Sequence, residues 1–205
     1  MELQHINVKL LVRNPENVDF SSFVPIFHRW IQNQSLEGKL LDVADYRHVP
    51  GGPGVILIGH EGDYSVDNTD NRVGIRYNRK ATLDGNNQDR LRQAMLAAVN
   101  VFLLLEEEPG SVHFNGQDFE VSINDRLLAP NSAETLAVSK PDINAFFEKL
   151  LGTKAYHLSF ETDRRRLFTI FVKAPHQVSP MQLQKTLLSS TNAECSNVAP
   201  ETIER

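Results

Sequence analysis

Apolar and polar residues alternate from position 5 to 13, with Ile6, Val8, Leu10 and Val12 on one side. A period of two predicts a half-buried strand, and Asn14-Pro15 ends it. Beyond Asp19 the period lengthens. Phe20, Phe23, Val24, Phe27 and Ile31 recur every three or four positions, the apolar stripe of a helix reaching Asn33. Asp19 suits its N-cap, while Pro25 demands a later start or a kink.

Two strand-like runs then flank Pro50-Gly51-Gly52-Pro53, which reads as a hairpin loop of four residues with Val49 facing Gly54. That register places Asp45 opposite Ile58, with His60 two residues farther along the same face, followed by Tyr64 and Val66. Another strand is expected over Val73 to Tyr77, beyond a turn-rich DNTDNR loop. The next helix, Asn87 to Leu105, carries Leu91, Met95, Ala98, Val99, Phe102 and Leu105 as its stripe. Leu96, Val101, Leu103 and Leu104 add apolar groups around the rest. Such a helix belongs inside the fold or across a subunit interface.

After Pro109-Gly110 the pattern restarts. Val112 and Phe114, Asn115-Gly116, then Phe119, Val121 and Ile123 read as a second hairpin. Residues 131 to 140 suit a loop or weak helix, and a helix from Pro141 to Leu151 stops at Gly152. Two closing strands follow, the second (Leu167 to Val172) apolar enough to be central. Ser179-Pro180 opens a short amphipathic helix with Met181, Leu183, Leu187 and Leu188. From Ser189 the chain is polar, and disorder is expected.

Hairpins outnumber crossovers, so the expected fold is α+β: a mainly antiparallel sheet packed against about three helices. The first half would run strand, helix, hairpin, strand, helix, and the second hairpin, helix, hairpin. Residues 1–108 and 109–175 form the two α+β halves, packed as one continuous domain, and 176–205 a tail.

Composition adds bounds. The 205 residues are 40% hydrophobic and 23% charged, ordinary for a water-soluble globular protein. A net charge of −5 gives no general pull towards nucleic acid or anionic membrane. The single cysteine, Cys195, excludes a disulfide framework within the chain and a zinc ribbon. No basic n-region precedes an apolar run, and the longest apolar stretch is too short to span a bilayer. A cytoplasmic protein is expected.

The chemistry-bearing residues gather in two places. The stretch 42–67 holds Asp45, His60, Asp63 and Tyr64, the candidates for acid–base work. Between 72 and 92, Arg76, Arg79, Lys80 and Arg90 approach the start of a helix, where amides and dipole also attract anions. Gly51-Gly52-Pro53-Gly54 runs into a strand and is followed by no Gly-Lys-Ser/Thr, so it is a turn and not a phosphate loop. Gly-x-Ser-x-Gly, HExxH and EF-hand patterns are missing from the sequence. No metal site is expected, and no cofactor can be named. The pattern favours a non-enzymatic, self-associating module that takes a small anion or a protein partner, with homo-oligomer contact through helix 91–105. The alternative is a hydrolase or metal-assisted enzyme using the 42–67 hairpin; a structural subunit of a larger assembly is a third reading.

Overall fold

A computed structural model describes residues 1–108 and 112–192. Eight strands form one antiparallel sheet: β1 (Ile6–Val12), β2 (Leu40–Tyr46), β3 (Gly54–Gly59), β4 (Gly62–Asp67), β5 (Gly74–Arg79), β6 (Phe114–Ile123), β7 (His157–Phe160) and β8 (Phe168–Lys173). Their order across the sheet is β2-β3-β4-β5-β1-β6-β8-β7. The α-helices among the described residues are α1 (Phe23–Asn33), α2 (Asn87–Glu106), α3 (Ala133–Leu151) and α4 (Pro180–Asn192). The α+β class with antiparallel sheet is therefore the observed one, and the sheet runs without a break through both halves of the chain.

Alternation explains the layering. Ile6, Val8 and Leu10 of β1, Ile75 and Tyr77 of β5, and Phe119, Val121 and Ile123 of β6 are all buried on one sheet face. Helix α2 lies on that face against β1 and β5, and α1 lies against β2 and β3. Helix α3 joins it through Phe147, whose ring is 5.8 Å from that of Phe119. Helix α4 packs on α2 with Leu183 and Leu187 buried.

The intervening side chains point to the other face, which is polar. Lys9 stands opposite Arg76 on one side and Glu120 on the other. Asn7 stands opposite Asn78 and Ser122 in the same way. The segment joining β4 to β5 lies against this face: Arg72 Nε is 2.9 Å from Glu120, and its guanidinium is 5.0 Å from the centre of the Phe171 ring. Asp70 of the same segment pairs with Arg166 from the β7–β8 turn.

Several elements differ from the expectation, each for a local reason. Tyr46, not Val49, faces Gly54, so Asp45 is opposite Val55. Two successive turns fill the longer loop, with the Val49 amide donating to Tyr46 and the Gly52 amide to Val49. Asp45 anchors the first of them by accepting from both the amide and the guanidinium of Arg47. Residues 112–123 supply one strand and no hairpin. Asn115 Oδ1 accepts the amides of Gln117 and Asp118, and Gly116 at φ 85° absorbs a bulge against β1. Helix α3 starts eight residues before Pro141, because Ser132 caps it by accepting from the Thr135 amide. Pro25 acts as a late start: a short 3₁₀ turn at Phe20–Ser22 precedes α1. Strand β8 is next to the edge, not central, since β6 takes the place beside β1. The Pro109-Gly110 junction and the tail beyond Asn192, with Cys195, lie outside the described residues.

Edge strand β2 has one further feature. Asp42 Oδ1 accepts from the Val43 amide, and Asp45 Oδ1 from the Arg47 amide.

Candidate functional site

The β3–β4 hairpin turns on two residues, His60 and Glu61, between Gly59 and Gly62. Neither central residue has a positive φ. Neighbouring backbone holds the turn in place. The His60 amide donates to the Lys39 carbonyl, and the Glu61 carbonyl accepts from the amides of Lys80 and Ala81. Glycine is required on the far side, because a Cβ at Gly62 would lie 2.7 Å from the Tyr77 ring and 2.9 Å from the Asn78 carbonyl.

This turn, the α1–β2 loop and α2 enclose a cavity of about 260 Å³. Leu36, Glu37, Gly38, Lys39 and Leu40 line it from the loop. Gly59, His60, Glu61, Gly62, Tyr64, Tyr77 and Arg79 line it from the sheet. Helix α2 contributes Gln93, Leu96, Ala97 and Asn100, spaced i, i+3, i+4 and i+7 and so on a single helix face. Glu37, Lys39, His60 and Glu61 are exposed and belong to the rim, whereas Tyr64 and Tyr77 are buried.

The two tyrosines stand directly opposite one another on β4 and β5, with ring centres 5.1 Å apart. Tyr77 Oη accepts from Gln93 Nε2 at 3.2 Å. Burial, and then the neighbouring Tyr77, push the Tyr64 phenol above its ordinary pKa, so its hydroxyl remains protonated. Arg79 is held by its own surroundings. Its Nε and Nη2 donate to the carbonyls of Ala81 and Thr82, and Nη1 is 3.1 Å from Glu61.

Of the acid–base candidates, His60 and Tyr64 line this cavity together. Asp63 is on the opposite sheet face, where it accepts from Lys80 at 2.7 Å and from the Gly59 amide. Asp45 is engaged with Arg47 and lies five ladder positions from His60, about 17 Å at strand rise. The four cations are also distributed. Arg76 reaches Asp67 on the polar face, whereas Arg90 donates to the Leu83 carbonyl and to Asn87 and pairs with Glu2. Arg79 and Arg90 share a crevice of only about 10 Å³, room for no more than a water. The first amides of α2 are served by a capping box of Asn86 and Asp89.

Gln93, Ala97 and Asn100 are not marked by the sequence as site residues, and Leu96 is marked only as part of the helix's apolar surface. Their i, i+3, i+4, i+7 spacing was present, but it runs beside a longer apolar stripe that dominates the helix. Leu103 and Leu104 of the same helix are half-buried against the core. Glu108 pairs with Arg29 and accepts from Trp30 Nε1 at 3.2 Å.

Among the described residues, no group of three or more His, Cys, Asp or Glu side chains is placed to hold a metal ion. None of their helices is long and apolar enough to cross a membrane. No family model matches the chain, and no curated protein is similar to it.

Proposed function

We propose that this α+β domain is a non-catalytic binding module for a small molecule held in the cavity between α2 and the β3–β4 turn. The observation that carries this reading is the cavity wall itself: Tyr64 is a buried residue of it, and no described residue bonds to its hydroxyl. A hydroxyl that bonds to no neighbour is left open to a ligand, which would take the place of water there. Apolar walls, a few convergent polar groups and a volume of about 260 Å³ suit a compact metabolite.

The chemistry of the lining supports binding over turnover. A general base needs a group that orients it and sets its pKa. Among the described residues no carboxylate is hydrogen-bonded to the His60 ring, while Asp45 and Asp63 are committed to Arg47 and Lys80. Tyr64 is held protonated and serves as a hydrogen-bonding group, not as a base.

The test is native mass spectrometry of the full chain purified from its own source, beside a Leu96→Trp variant that fills the cavity. The expected result is a retained small molecule in the parent that is lost in the variant. A folded parent with nothing bound, and with no cavity-dependent thermal shift across a metabolite panel, overturns the proposal.

A further inference from the structure

The polar atoms that remain free inside the cavity define what it can hold. Gln93 and Asn100 are each fixed by one internal bond. Gln93 Nε2 is given to Tyr77 Oη, and Asn100 Oδ1 receives Gln184 Nε2 at 2.9 Å. Each amide therefore keeps one atom of known character. Gln93 retains its Oε1, an acceptor, and Asn100 retains its Nδ2, a donor. Neither has a partner among the described residues. Seven positions apart on one helix face, the two are separated by about 10 Å along the axis. Leu96 and Ala97 fill the interval between them. Tyr64 and Tyr77 form an aromatic wall from the sheet, with the free Tyr64 hydroxyl.

The inner surface also carries no unbalanced charge. Arg79, the one cation among its lining residues that is not exposed, is neutralised by Glu61 and two backbone carbonyls. Lys39, His60 and Glu37 are exposed at the rim, and their signs are mixed. An anion drawn inside would lose its hydration without a free cation to replace it, which is a heavy penalty.

Resting on the cavity as the binding site, the geometry points to an uncharged, elongated ligand of the nucleoside class. It would present a donor to Gln93, an apolar or aromatic middle to Leu96, Ala97 and the tyrosines, and an acceptor to Asn100. A nucleoside has this order of groups: a flat base bearing N–H donors, then a sugar bearing hydroxyl and ether oxygens. The inner chemistry selects against small anions such as phosphate and sulfate.

Isothermal titration of the full chain with adenosine, guanosine and uridine, and with inorganic phosphate, tests this. The variants are Asn100→Asp, Gln93→Leu and Leu96→Trp, each first shown to melt as the parent does. Asn100→Asp is the sharpest, because it keeps the shape and the bond from Gln184 but turns the free donor into an acceptor. The expected result is binding of at least one nucleoside, weakened about tenfold or more by Asn100→Asp and by Gln93→Leu, and abolished by Leu96→Trp. Phosphate should produce no cavity-dependent heat. Nucleoside binding indifferent to both amide variants overturns the inference. So does a charged molecule retained by the parent and lost in Leu96→Trp, although that outcome leaves the cavity as the binding site. If no compound binds in a manner sensitive to Leu96→Trp, the cavity reading fails and this inference with it.

Discussion

Lys9 Nζ and Asp67 Oδ1 are 2.5 Å apart at the middle of the sheet, with 1% and 0% of their side chains exposed. Arg76 adds a second cation 3.3 Å from the same carboxylate, and Thr69 adds a hydroxyl at 2.9 Å. Burial, the largest influence, lowers the Lys9 pKa, and the nearby Asp67 works against it. Removing Lys9 leaves the buried carboxylate with Arg76 as its remaining cation. Lys9→Met should therefore cost about 1–3 kcal/mol in urea unfolding. The double variant Lys9→Met, Asp67→Leu should cost less than the single one; an equal or greater loss would show that the carboxylate is not the source of the penalty.

The β3–β4 turn gives a second prediction. A methyl group at position 62 meets the Tyr77 ring and a backbone carbonyl, and Tyr77 is only 2% exposed, so it has little room to retreat. Gly62→Ala should lower stability by about 1–3 kcal/mol through overpacking. It should also weaken ligand binding, since Tyr77 positions Gln93. Thermal melts and titrations of the variant check the two effects together.

Leu103 tests the second side of α2. It is half-buried against the core, so Leu103→Glu should destabilise the isolated chain by about 1–3 kcal/mol. Sedimentation of parent and variant alongside the urea melts separates this from self-association. A change in mass with no change in stability would place Leu103 at an interface between chains.

Asp45 should titrate far into acid. The Arg47 side chain, and then the Arg47 amide, lower its pKa from 3.8 to about 2. Because the folded value lies below the unfolded one, the contribution is complete above 3.8 and is lost as pH falls through about 2. Asp163 is lowered to about 2 in the same way by Arg165. Carboxyl NMR titration should find both midpoints near these values. Arg47→Gln should raise Asp45 towards the ordinary carboxylate range, with the share of the retained amide bond remaining, and leave Asp163 unchanged.

The elements most legible in the sequence were those with an unbroken period. Strand β1 and helices α1 and α2 follow directly from residues such as Val8, Phe27 and Leu91, because each spacing fits one geometry. The β2–β3 register was less legible, because it depends on where the Asp45 carboxylate finds a donor. Asn115-Gly116 shows the same limit, since those two residues suit a hairpin and a bulge alike, and only pairing with β1 chooses between them. The cavity was legible in part. His60 and Tyr64 stood out as ionisable groups near a turn, whereas Gln93 and Asn100 are polar residues of a kind common on any helix. What distinguishes them is which of their atoms are already occupied by Tyr77 and Gln184, and that is settled only by tertiary packing.

The carboxylates along β2 also bear on how large the sheet can become. A bare sheet edge is a template on which a second chain can add a strand. The amide of Val43 on β2, and that of Arg47 just beyond its end, are already taken by Asp42 and Asp45, so an incoming strand must first displace an anion. The opposite edge, β7, offers only four residues. The width of the sheet is thus guarded at one edge by its own carboxylates and at the other by the shortness of the strand.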